Sequence, residues 1–219
     1  MIGIQIVEGI ALLTLAWMLS LVALKPRDVR LRSITAVVVC WSAGLPFVMH
    51  ASDGEYFLGL DPMWCQFVNH ALIMTGAYCV VCFFSYSAFD RREAGARAKR
   101  HAVVLVAVVL TTAVATAIMP EELRVIGATV TSGRGIQARG VFSISLFYTA
   151  ANCYLLYAFL SATLATRRAI RHAEGGLRFA LLITMAGLAT LVLAFAIFTV
   201  SSSCTSRTPM CPTRSGWRA

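Results

Sequence analysis

Six long, almost unbroken apolar runs alternate with short polar segments along the chain: Ile2–Leu24, Ser33–Ala51, Cys65–Phe89, Ala102–Met119, Val141–Ala165 and Leu177–Val200. Each is near the length of about 20 residues that a helix rising about 1.5 Å per residue needs to cross a hydrocarbon core of roughly 30 Å. The pattern predicts an all-α, polytopic transmembrane helical bundle of about six helices over residues 1–200. The segment between the fourth and fifth runs, Pro120–Gly140, is too short for a core of its own. Its alternating residues around Gly133–Arg134–Gly135 suit either a small hairpin or a plain Gly-rich loop. No internal repeat is visible by eye, so the sequence lacks the repeat signature of many transporters.

Charge adds an orientation to this pattern. The net charge of +9 is compatible with a nucleic-acid binder, but the bases sit in the connections between apolar runs and do not form one stripe. Thirteen of them fall in the first, third and fifth connections: Lys25, Arg27, Arg30, Arg32, Arg91, Arg92, Arg97, Lys99, Arg100, Arg167, Arg168, Arg171 and Arg178. The second and fourth hold only Arg124, Arg134 and Arg139, with Asp53, Glu55 and Asp61 in the second. Positive charge concentrates on the cytoplasmic side of membrane proteins. The count therefore predicts a multi-pass plasma-membrane protein with its N-terminus outside. The first run is preceded by no base, so it reads as a retained helix and not as a secretory signal peptide.

Residues 201–219 differ from the rest, with three Arg, no acid, two Pro, two Cys and no periodicity. Two readings are open. One is a disordered external tail; the other is a helix pattern cut short by a frameshift.

Candidate chemistry lies in polar residues within apolar runs, because an ionisable group in hydrocarbon requires a compensating role. Glu8 lies about two turns into the first helix. Gln66, Asn69 and His70 fall at i, i+3 and i+4 on the third, on one face. Both helices start on the same side, which puts Glu8 and His70 roughly 10 Å below the surface. A substrate-binding pocket roofed by Asp53, Glu55 and Asp61 is one reading; the other is that Glu8 snorkels and the amides join helices by hydrogen bonds. Asn152, with Tyr148 one turn before it, carries the same two alternatives. Pro46 should weaken or kink the second helix, since it lacks an N–H donor.

Other motifs change little. Cys79 and Cys82 form a CxxC deep in an apolar helix without the charged neighbours that activate such thiols, which favours packing cysteines over a redox pair. His50, His70, His101 and His172 are scattered, so no metal cluster is expected. Nucleotide-loop, zinc-protease and serine-hydrolase signatures are absent from the sequence. The expectation is a non-enzymatic protein with no cofactor.

The basic loop LKPRDVRLRS, the Leu45–Pro46 end of the second helix, the helix-borne histidine in QFVNHALIM and the segment GLRFALLITMAGLATL together resemble an actinobacterial family of multi-helix membrane proteins. That family, from mycobacteria and streptomycetes, is usually described as transporter-like. The resemblance implies seven helices and a cytoplasmic C-terminal domain, against six here. Two functional readings follow: a transporter with a path lined by Glu8, Asn69, His70 and Asn152, or a sensor that binds a small molecule near the outer leaflet. The expected partners are the lipid bilayer, with other membrane subunits or a cytoplasmic regulator as further candidates, and no nucleic acid.

Overall fold

The computed structural model describes residues 2–132, 141–171 and 173–204, with side chains described over 13–130, 141–171 and 173–197. Within these residues the chain forms α1 (Ile2–Leu24), α2 (Val29–Asp53), α3 (Pro62–Ala88), α4 (Arg91–Ala117), a short α5 (Glu121–Ala128), α6 (Phe142–Ile170) and α7 (Gly175–Cys204). A 3-10 turn, Thr129–Ser132, follows α5. The protein is an all-α bundle, as the apolar runs predict. Five helices (α2, α3, α4, α6 and α7) are long and apolar enough to cross a membrane, and the described part of α1 contributes the apolar stretch Leu13–Leu24.

Several helices start earlier than hydropathy alone indicates, because capping chemistry outranks it. Asp28 accepts from the backbone N–H groups of Arg30 and Leu31, starting α2 four residues before the apolar run. Asp61 accepts from Met63 and Trp64, with Pro62 in the first turn of α3. Asp90 accepts from the N–H of Glu93, so α4 begins at Arg91 and not near Ala102. Each cap satisfies donors that a helix start otherwise leaves unpaired. The third basic connection is therefore two residues, Phe89 and Asp90, and its bases ride on α4. At 27 residues and about 1.5 Å per residue, α4 is about 40 Å long, more than the hydrocarbon needs. Its charged first turns can thus stand clear of the lipid tails.

Pro46 lies inside α2 without ending it. Gly54, at φ 76°, closes α2 through N–H bonds from Gly54 to Ala51 and from Glu55 to His50. The tight antiparallel turn occurs at Phe57–Leu60, where each residue's N–H bonds the other's carbonyl and Leu58 and Gly59 both have positive φ. In Pro120–Gly140 the start is helical (α5); residues 133–140, where a hairpin or loop was expected, lie outside the described residues, as does the tail beyond Cys204.

In the bundle α3 packs most extensively on α2, and α3, α4 and α6 pack on one another. Helix α1 joins through α2 and α7 through α6. Small residues let backbones approach: Ala151, Ala158, Ala162 and Ala165 are buried on α6. On the α2–α3 seam, a Cβ at Gly76 would lie 2.5 Å from Trp41 Nε1, and one at Gly44 would lie 2.9 Å from Asn69 Oδ1. Buried Thr112, Thr116 and Thr166 bond carbonyls of their own helices, as an apolar surrounding demands.

Charge divides the two ends. At one, Arg30 Nε donates to the Tyr86 carbonyl, and the guanidiniums of Arg97 and Arg168 lie over the Phe89 ring. At the other, Arg124 pairs with Asp61 at 2.9 Å and His50 with Glu55 at 3.3 Å. The first is the basic end of the bundle and the second its acidic end.

Candidate functional site

The buried apolar residues form two clusters stacked along the bundle. One, toward the acidic end, includes Met63, Cys65, Met119, Ile144, Phe147 and Tyr148. The other includes Met74, Val81, Phe84, Leu155 and Phe159. Gln66, Asn69 and His70 on α3 and Asn152 on α6 are buried where one cluster gives way to the other. A cavity of about 340 Å3 opens at this polar seam. Val48 of α2, Ile73 of α3, Leu155 of α6 and Ala194 and Phe195 of α7 form its apolar walls, and the four polar residues and Tyr148 also line it.

The helical spacing thus brings Gln66, Asn69 and His70 to one cavity, and it brings Tyr148 and Asn152 to the same one from α6. The side chain of Glu8 lies outside the described residues. The acidic roof is not formed. Asp61 is turned away to cap α3 and bind Arg124, Glu55 pairs with His50, and among the described residues no carboxylate lines the cavity.

His70 Nδ1 sits 3.0 Å from the Gln66 carbonyl, and its ring packs edge-on against Phe147 and Tyr148. Beside a carbonyl, Nδ1 must carry the proton, which leaves Nε2 of the neutral ring as an acceptor. Tyr148 donates to the Gly127 carbonyl at 2.9 Å, tying a cavity wall to α5. Asn152 is 5% exposed, and its Nδ2 has no hydrogen-bond partner among the described residues. A buried amide left without a partner is costly, by about 1–3 kcal/mol.

Among the described residues the chemistry on offer is that of amides, one imidazole, a tyrosine and apolar walls. It fits an uncharged small molecule carrying a hydrogen-bond acceptor for Asn152. Among the described residues no group of three or more His, Cys, Asp or Glu is placed to hold a metal. Cys79 and Cys82 are free thiols, the second buried. Sequence reasoning missed the α7 wall, because Ala194 and Phe195 sit in a run that is apolar all round.

Fold and site together define a helical bundle suited to a bilayer, with a polar cavity at one side of its core. Comparisons with models of known protein families, with curated proteins and with solved structures find no match to this chain.

Proposed function

We propose that this chain is a transporter-like plasma-membrane protein, non-enzymatic, that takes an uncharged small molecule into the cavity lined by Gln66, Asn69, His70 and Asn152. The observation that carries the reading is Asn152, which lines the cavity and whose buried Nδ2 has no hydrogen-bond partner among the described residues. An amide kept only to join helices would be bonded across the interface. The resemblance to actinobacterial transporter-like proteins points the same way. A sensor is the second reading, favoured by the Tyr148–Gly127 bond that links the cavity to α5.

Asn152→Leu tests the site. It replaces a poorly satisfied amide with an apolar group, so the unliganded protein is expected to gain about 1–3 kcal/mol, while any ligand-dependent rise in Tm is lost. The measurement is thermal unfolding in mild detergent against a panel of uncharged amides, polyols and heterocycles. A fall in Tm of the unliganded variant would assign Asn152 to helix joining and remove the site. For a compound that binds, counterflow in proteoliposomes marks a transporter, and a conformational change without flux marks a sensor.

The charge division supports an orientation with the basic end in the cytoplasm. On a cysteine-free background, Asp53→Cys and Glu55→Cys should react with an impermeant thiol reagent in intact cells, while Ala96→Cys and Ala173→Cys stay protected. The opposite labelling would invert the topology.

A further inference from the structure

The basic end holds a second cavity, of about 630 Å3, between the last turns of α3, the first turns of α4 and the end of α6. Arg97, Arg100 and His101 line it from α4, Ser85 from α3, and Tyr157 and Ser161 from α6. Its charge is unbalanced. Arg97 bonds Glu93 at 3.0 Å, but Arg100 has no ion-pair partner among the described residues; nor has Arg168, which lies outside the cavity lining and shares the Phe89 ring with Arg97. His101 packs against the Tyr157 ring at 5.1 Å, and its buried Nδ1 lacks a hydrogen-bond partner among the described residues. Two guanidiniums facing one carboxylate in the lining, with a third over the Phe89 ring and an imidazole and two serine hydroxyls nearby, make a setting for a phosphate-type anion.

The flank of the cavity narrows the source of that phosphate. Tyr157 and Leu164 line the cavity and are also exposed, as is Leu160 between them on α6, and one turn deeper Val104 on α4 is exposed too. Basic groups near the membrane surface therefore continue into an apolar strip running toward the bilayer centre. A soluble phosphate compound has no use for that strip; an acyl chain does.

We propose that this cavity binds an anionic phospholipid, its headgroup phosphate held by Arg97, Arg100 and His101 and an acyl chain lying along Val104, Leu160 and Leu164. The site is separate from the polar cavity at the seam between the two core clusters, with which it shares no lining residue. A lipid seated there would supply the missing negative charge and brace α4 against α6.

The test is thermal unfolding of the purified full chain in mild detergent, titrated with phosphatidylglycerol, phosphatidylcholine or glycerol 3-phosphate. Phosphatidylglycerol should stabilise the protein at lower concentration than the other two. Each Arg near a lipid surface contributes about 1 kcal/mol, so Arg97→Gln/Arg100→Gln should weaken the apparent affinity roughly thirtyfold. Arg91→Gln/Arg92→Gln removes the same charge from the same helix outside the cavity, and should leave the affinity within about threefold of wild type. Because Arg97 also pairs with Glu93, Arg100→Gln alone provides a milder variant with an expected loss of about fivefold. Equal stabilisation by the two lipids, or equal losses in the two double variants, would overturn the proposal. So would a response to glycerol 3-phosphate matching that to phosphatidylglycerol, which would identify a soluble phosphate compound as the ligand.

Discussion

Asp61→Ala is expected to lower the unfolding free energy by about 3 kcal/mol. One carboxylate does two jobs at the acidic end. Its Oδ1 accepts from the N–H groups of Met63 and Trp64, and its Oδ2 accepts from Arg124 at 2.9 Å. Losing the cap costs about 1 kcal/mol. The rest comes from Arg124, whose side chain is 21% exposed and paired with a carboxylate 12% exposed, and which would be left partly buried without its counter-charge. Asp61→Asn keeps an oxygen for the cap and gives up the charge, so it should fall between wild type and Asp61→Ala. The order of the three, read by denaturant or thermal unfolding in detergent, checks the account. An Asp61→Ala variant within about 0.5 kcal/mol of wild type would show that neither job matters.

The second large effect is expected at Gly76. A methyl there would meet the Trp41 indole at 2.5 and 2.8 Å, so α2 and α3 can keep their separation only if the ring moves. Overpacking of this kind costs about 1–3 kcal/mol. Trp41 is 43% exposed and can swing outward, which places Gly76→Ala toward the lower figure and Gly76→Val toward the upper. The sharper measurement is a double-mutant cycle. In a Trp41→Ala background Gly76→Ala should cost little, giving a coupling of about 1 kcal/mol or more. Additive losses would mean that the indole is not what Gly76 accommodates.

The apolar runs made the bundle legible, and the i, i+3, i+4 spacing of Gln66, Asn69 and His70 made one face of the site legible. What stayed hidden did so for specific reasons. Hydropathy puts the start of α4 near Ala102, because Arg91 to Arg100 are mostly polar. Yet Asp90 with Glu93 three residues on is a helix-start signal, and the alanines between the bases favour helix. The short α5 carries Glu121 and Glu122 in its first turn, a second such signal within a segment read as loop or hairpin. The tight turn at Phe57–Leu60 lacks the Asn-Gly or Asp-Gly signature and uses Leu58–Gly59 instead, with Leu58 in a conformation rarely taken by a side chain of its kind. The acidic roof failed because a count of carboxylates does not show their partners. Asp61 and Arg124 are 63 positions apart, and only the fold brings them together.

Gly44 contributes no surface to the polar cavity, yet the Asn69 amide rests against it, with room for no Cβ between them. The position of that amide is therefore held from behind by an absent side chain on α2. Two proteins with identical cavity linings but different residues at 44 would present Asn69 differently. Divergence in ligand preference could then arise on this scaffold with every lining residue left untouched.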